Sequence, residues 1–388
     1  MRSEPMSNPY PVEPIVNLGE LPDLFMKEDG SRVSRPEEWA ARGRAWRDLV
    51  VETEYGGMPP APKKVDVEPL CRSQVGRWPS APMLWSYRVH CHGGEMPFSF
   101  CVRMLVPQGD GPFPAIINGD GCWWYINDEV AQRVVERKCA LVMFNRTEMA
   151  EDNPKIDDGS EERPCGSVYA VYPGRSFGAL SAWAWGYHRC VDMLQRESCI
   201  DSACLAVSGH SRGGKTVLLA GATDERIALV NDNASCAAGS AVFRYVGHGG
   251  ESLEILNVFP SWFGRKAGLR SFIGREDELP FDQHCLLAAI APRLLLLTFA
   301  LDDRWSNPEG MVQSAWAVRE VYRFLGAEDR LAFHLRPGPH AHSLEDWEVL
   351  LDFIGYHWQG REATAAYNRH PYKHLKPAFS WRAPGCAH

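Results

Sequence analysis

Short apolar runs alternate with longer stretches of helical periodicity over most of this chain, and that alternation predicts its architecture. Residues 113–118, 139–145, 204–207, 227–230, 294–299 and 331–335 are apolar runs of strand length. The run at 294–299 is almost wholly apolar, the pattern of a strand covered on both faces. Between such runs, residues 180–194 carry apolar side chains at 180, 183, 184, 187, 191 and 194, and residues 311–325 at 311, 315, 318, 322 and 325. Those spacings mark one face of a helix. Residues 344–358 read as a last helix. Strands alternating with helices predict a mostly parallel sheet with right-handed crossovers and helices on both faces.

The first third has another texture. Residues 1–17 are Pro-rich and polar, an extended arm. Ser34 followed by Pro36, Glu37 and Glu38 predicts a helix start with Ser34 as its cap, and a helix to about residue 55 burying Trp39, Leu49 and Val50. Prolines break the pattern at 56–64. Residues 85–92 and 98–106 then read as paired strands around Gly93 and Gly94. The expected organisation is an appendage at 1–111, a catalytic core at 112–360 and a polar tail at 361–388.

One stretch carries chemistry on its face. Gly209, Ser211 and Gly213 fit G-x-S-x-G, after an apolar run and before the helix-forming 216–222. This is the strand–turn–helix elbow that exposes a serine hydroxyl at the top of an α/β sheet. The glycines are needed because side chains two residues either side of a strained nucleophile would collide. The expected fold class is therefore an α/β-hydrolase fold, a three-layer sandwich with a mostly parallel central sheet.

Bulk properties narrow the partners. The 388 residues are 45% hydrophobic and 23% charged, enough to bury a sizeable core. A net charge of −8 without a basic block argues against nucleic acid. No apolar run has membrane-spanning length, so no membrane partner is expected. Residues 1–14 do not read as a secretory signal, which favours a cytoplasmic protein. Twelve cysteines include no C-x-x-C pair, and read as small buried hydrophobes of a reducing compartment, as at Cys101, Cys139, Cys190 and Cys204. His248, His284, His340 and His342 show no metal-ligand spacing beyond one H-x-H, and no G-x-G-x-x-G or Walker pattern follows a strand. No metal or cofactor is expected, and oligomeric state is left open.

A serine hydroxyl needs a base and the base an orienting acid, in the chain order Ser, acid, His in this fold. The run at 294–299 leads to Asp302 and Asp303, and the run at 331–335 to His340 and His342. Both loops are expected on the carboxyl edge of the sheet, beside the elbow. Either aspartate and either histidine fits. The backbone N–H of Arg212 and the loop 119–123 are placed to form an oxyanion hole, and the Arg212 side chain either joins it or pairs with an acid. Lys215, one helical turn after Ser211, either donates to a substrate hydroxyl or pairs with an acid. Of fourteen tryptophans, Trp183, Trp185 and Trp316 fall at helical core positions. Trp123, Trp124, Trp262 and Trp305 fall in loops beside the expected site, where flat apolar rings suit sugars or wedge a lid.

Four separated motifs resemble those of the glucuronoyl esterases, carbohydrate esterase family 15. Residues 208–215 are similar to that family's G-C-S-R-x-G-K signature, 182–186 to its A-W-A-W-G helix, 279–284 with 291–293 to its L-P-F-D-x-H and A-P-R run, and 338–342 to its G-x-H-x-H loop. The resemblance implies cleavage of esters between 4-O-methylglucuronic acid in xylan and lignin alcohols by a Ser-His-acid triad. It implies Ser211 as nucleophile, Arg212 as an oxyanion-side arginine, Lys215 as a sugar-hydroxyl ligand and His342 as base. Trp305 and one of Glu251 or Glu254 would border the uronic acid. His210 and Ser343 stand where fungal members have a disulfide, and Ala234 where they carry the acid. Bacterial members resembling this chain take the acid after the next core strand, which supports Asp303 or Asp302. The leading expectation is a serine carbohydrate esterase of glucuronoyl type. A small-acyl esterase of the same fold, a serine peptidase and a non-catalytic binding module are the alternatives.

Overall fold

The computed structural model describes residues 15–123, 126–152, 167–266 and 268–385. Nine strands form one twisted sheet: β1 Lys64–Gln74, β2 Met83–His92, β3 Phe98–Val106, β4 Phe113–Asn118, β5 Ala140–Phe144, β6 Ile200–His210, β7 Leu229–Asn233, β8 Leu294–Ala300 and β9 Leu331–Arg336. Their spatial order is β9-β8-β7-β6-β4-β5-β3-β2-β1. β4 to β9 run parallel to one another, and β1, β2 and β3 add antiparallel strands beyond β5. The fold is the expected α/β-hydrolase sandwich.

Alternation along each strand builds the outer layers. Ile116, Leu141, Ala206, Leu229 and Leu296 pack with α2 (Asp128–Glu136) and α6 (Leu344–Gln359) on one face. Ala115, Ile117, Val142, Leu205, Val207, Val230, Leu295 and Leu297 face the other way. There they meet α1 (Trp39–Val50), α3 (Ala179–Leu194), α4 (Arg212–Thr223) and α5 (Pro308–Phe324). α3 is buried almost all round because α4 and strand residues cover it on several sides.

Local details depart from expectation. Ser34 does not cap the first helix. Its hydroxyl donates to Glu38, and a 3-10 turn over Pro36–Glu38 precedes α1. The helix leaves through a π-helical turn, Val51–Tyr55, and stops at Gly56 with φ 69°. Cys101 is exposed, because it lies on the outward side of β3. The ten described cysteines are all unpaired. No described helix is long and apolar enough to cross a membrane.

Candidate active site

β6 ends at His210 and α4 starts at Arg212, so Ser211 alone makes the turn. Its backbone sits at φ 56°, ψ −121°. That conformation costs a non-glycine residue on the order of 1–3 kcal/mol. The Ser211 N–H donates to Asn233 O (2.8 Å), and the Lys215 N–H to Ser211 O (3.1 Å). The glycines around the turn provide space. A Cβ on Gly209 would strike the Gly213 carbonyl, one on Gly213 the Asp120 carboxylate, and one on Gly214 the Asp232 carboxylate.

The loops after β8 and β9 meet beside this elbow. His340 Nδ1 lies 2.5 Å from Asp303 Oδ2. Asp302 instead accepts the Gly338 N–H (2.7 Å), which ties the two loops together. Burial works against the Asp303 carboxylate, but the hydrogen bond and charge of His340, with Ser306, more than offset it and hold its pKa below the usual value. The His340 ring packs on His210, centroids 4.4 Å apart. His210 Nδ1 is 2.5 Å from Asn233 Oδ1 at the end of β7. Burial, then the His340 charge, holds His210 down to about 3, so it stays neutral at working pH. Asp303, His340 and the residue before Ser211 thus form one contiguous group.

His342 is placed otherwise. Its ring stacks on Trp347 (4.7 Å, 20°), and its Nε2 has no hydrogen-bond partner among the described residues. Burial, then His210 and Arg336, holds its basicity well below the ordinary value. The resemblance implied His342 as base, but the imidazole paired with the acid is His340. The cause is Arg336, whose guanidinium donates to the carbonyls of Pro337, Pro339 and Ala341. That clamp curls the loop, leaving His340 at its tip and His342 inside.

Arg212 and Lys215 are both ion-paired. Arg212 Nη1 donates to both oxygens of Asp152 (3.0 Å each), and Asp152 also accepts from Trp262 Nε1 (3.0 Å). The guanidinium lies over Trp262 (4.5 Å), Phe259 (5.0 Å) and Trp123 (5.3 Å). Trp123 also packs against Arg146 (4.0 Å). Lys215 Nζ donates to Ser235 O (2.6 Å), Glu251 Oε2 (2.8 Å) and Ala237 O. All three donors thus meet protein acceptors, the pairing with an acid that the sequence left open beside a hydroxyl-ligand role. Burial raises the Glu251 carboxyl, with Lys215, His340 and the Trp305 side chain pulling the other way. Glu251, not the exposed Glu254, therefore joins the group. Trp305 stands 55% exposed at the rim, its carbonyl accepting the Glu251 N–H (2.8 Å). Trp124 lies outside the described residues.

The buried Lys215–Glu251 pair makes a stability prediction. Lys215→Met would strand a buried carboxylate and two carbonyls, and is expected to cost about 3–5 kcal/mol in urea unfolding. A raised KM with an unchanged urea midpoint would instead return Lys215 to ligand binding.

The family profile described as "Glucuronyl esterase, fungi" matches residues 89–326, more than half of the chain. The chain belongs to the glucuronoyl esterase family. A carbohydrate esterase from an unknown prokaryotic organism is 36% identical over 200 residues, covering 47% of this chain and 45% of the relative. The 4-O-methyl-glucuronoyl methylesterase of Podospora anserina is 30% identical over 330 residues, covering 82% of this chain and 63% of the relative. The chain thus spans less than two thirds of the length of these curated relatives. Among solved structures, a family 15 glucuronoyl esterase from Caldicellulosiruptor kristjansonii superposes with a TM-score of 0.79 at 31% identity, covering 96% of this chain and 98% of that one.

Sequence reasoning missed part of what supports this candidate site. Asp120, wholly buried after β4, accepts the His210 N–H (2.8 Å) and pairs with Arg146. Arg146 reaches Asp152 at 3.7 Å, and Asp152 holds Arg212. This acid–base chain links the loops after β4 and β5 to the first turn of α4. Asp120 between two glycines and Arg146 directly after an apolar run were its only signals in the sequence. In the loop 119–123, the N–H groups of Gly119, Asp120 and Trp123 donate to Tyr187 Oη, Asn118 Oδ1 and Asp120 O.

Proposed function

We propose that this chain is a serine carboxylic-ester hydrolase acting on carbohydrate esters, with a 4-O-methylglucuronate ester as its substrate. The observation that carries the reading is the Asp303–His340 pair, 2.5 Å long and seated against the elbow through His210. Ser211 Oγ attacks the ester carbonyl while His340 takes its proton. His340 then protonates the departing alkoxide, leaving an acyl group on Ser211. Water, deprotonated by His340, releases the acid and restores the serine. Asp303 holds the imidazole and balances the charge it gains. The Arg212 N–H, with an N–H of Gly121 or Cys122, receives the oxyanion.

The paired cations fit this order of events. A uronate ester carries no charge on its reacting carboxyl, whereas the product does. Arg212 on Asp152 and Lys215 on Glu251 present little unpaired positive charge, so the site favours the neutral ester over the anionic product. Trp305 offers an exposed ring face for the pyranose. The ten unpaired cysteines support a reducing compartment.

The test compares methyl 4-O-methylglucuronate with p-nitrophenyl acetate. The uronate ester is expected to have the larger kcat/KM, by on the order of 10–100-fold. Turnover of the acetate alone would move the chain to the small-acyl esterases.

A further inference from the structure

Beside the nucleophile and the base stands an imidazole to which the catalytic reading gives no task. His210, Asn233 and Thr298 lie near the carboxyl ends of three neighbouring strands, β6, β7 and β8, and pair across them in one register row. Residues paired in this way point to the same face of a sheet, and here their side chains join. Asn233 Nδ2 donates to Thr298 Oγ1 (3.0 Å) and to Thr298 O (3.3 Å). A carbonyl only accepts, so the Asn233 amide turns its nitrogen to Thr298 and its oxygen to His210. His210 Nδ1 therefore carries the hydrogen that meets Asn233 Oδ1. The Asn233 backbone also accepts the Ser211 N–H (2.8 Å), so one residue holds both the nucleophile's turn and the imidazole before it. The His210 N–H is held in addition by Asp120 (2.8 Å).

The ring that His210 faces is less constrained. His340 sits at the tip of its loop with 34% of its side chain exposed. Its bond to Asp303 fixes Nδ1 but not the plane of the ring. The His210 ring, 4.4 Å away and tilted by 42°, supplies a wall for that plane. When Ser211 gives up its proton, His340 becomes a cation, and an aromatic face within about 6 Å attracts a cation. An uncharged face is needed for this. Burial, then the His340 charge, keeps His210 neutral. Burial foremost does the same for His342, which lies nearly parallel to His210 at 6.0 Å.

We infer that His210 is a positioning residue for the reaction: its ring, fixed by Asn233, sets the plane of the His340 imidazole and stabilises the imidazolium that forms when Ser211 is deprotonated. The inference rests on the proposed triad of Ser211, His340 and Asp303, and it concerns the base, not the choice of substrate.

Three substitutions separate the ring from the hydrogen bond. His210→Phe keeps a flat ring and loses the Nδ1 donor. His210→Leu keeps bulk and loses both. His210→Gln keeps a donor and loses the ring. The readouts are kcat on methyl 4-O-methylglucuronate and the rate of labelling by a fluorophosphonate. Both ringless variants are expected to fall on the order of 10–100-fold with KM within about twofold, and His210→Phe to recover to within about threefold of the wild type. Urea midpoints are measured alongside, and His210→Phe should keep its rate even where its midpoint lies below that of His210→Gln. Rates that follow the midpoints, a His210→Phe as slow as the ringless pair, wild-type rates in all three, or a loss carried by KM overturn the assignment. With two ringless variants, the comparison survives the misfolding of one. Labelling needs no sugar, so faster labelling of His210→Phe than of the ringless pair supports the inference even where the wild type leaves the uronate ester intact. Hydrolysis of that ester by the wild type and all three variants alike overturns the inference and leaves the proposed function standing.

Discussion

Replacing His340 by Ala is expected to lower kcat on a uronate ester by on the order of 10⁵-fold, whereas His342→Ala keeps it within about tenfold. The two histidines lie two residues apart on one loop, yet their surroundings set them to different work. A general base needs an acid to fix its tautomer and share the charge it gains. Asp303 does this for His340 at 2.5 Å. Among the described residues His342 has no such partner, and its burial, with His210 and Arg336 nearby, opposes the imidazolium that catalysis requires. Its ring belongs to packing against Trp347 and His210. Truncating it is expected to appear as about 1–3 kcal/mol of lost stability in urea unfolding. A kinetic collapse in His342→Ala, with an intact urea midpoint and an active His340→Ala, would reverse the assignment.

The contrast shows where sequence pattern stops being informative. The six parallel strands were legible because coverage on both faces leaves an apolar run with little interruption, as in Leu294–Ala300. β1 was not, because an edge strand faces water along most of its length and here includes Pro69. The elbow was legible because its glycines answer a local steric demand from Gly213 O, Asp120 and Asp232. The choice between His340 and His342 was not local. It depends on a clamp by Arg336 onto three carbonyls, which no spacing rule contains. Lys215 teaches the same point. Helical spacing put it on the face of Ser211, but the acid it pairs with is Glu251, 36 residues away. The family resemblance pointed to loops that the structure brings together, and the contacts distinguish neighbours within them.

Ser211→Ala is expected to abolish turnover, with a loss in kcat on the order of 10⁶-fold, and to abolish labelling by a fluorophosphonate probe. The informative part is what it should leave alone. The Ser211 N–H bond to Asn233 O, the glycine contacts around the turn and the Asp303–His340 pair involve no atom of the serine side chain. Alanine keeps the same Cβ in the same positive-φ conformation, so the urea midpoint should hardly move. Ser211→Gly is the useful companion. Without a Cβ the backbone at φ 56°, ψ −121° is relieved of strain, and the variant should be equally inactive but more stable than Ser211→Ala by about 1 kcal/mol. A pair of dead variants separated in that direction would show that the elbow holds its nucleophile against a conformational cost. Retained labelling in Ser211→Ala would place the nucleophile elsewhere. Equal stability of the two variants would mean that the turn is shaped by its neighbours without strain at the serine, and the three glycines would then be the whole of the device.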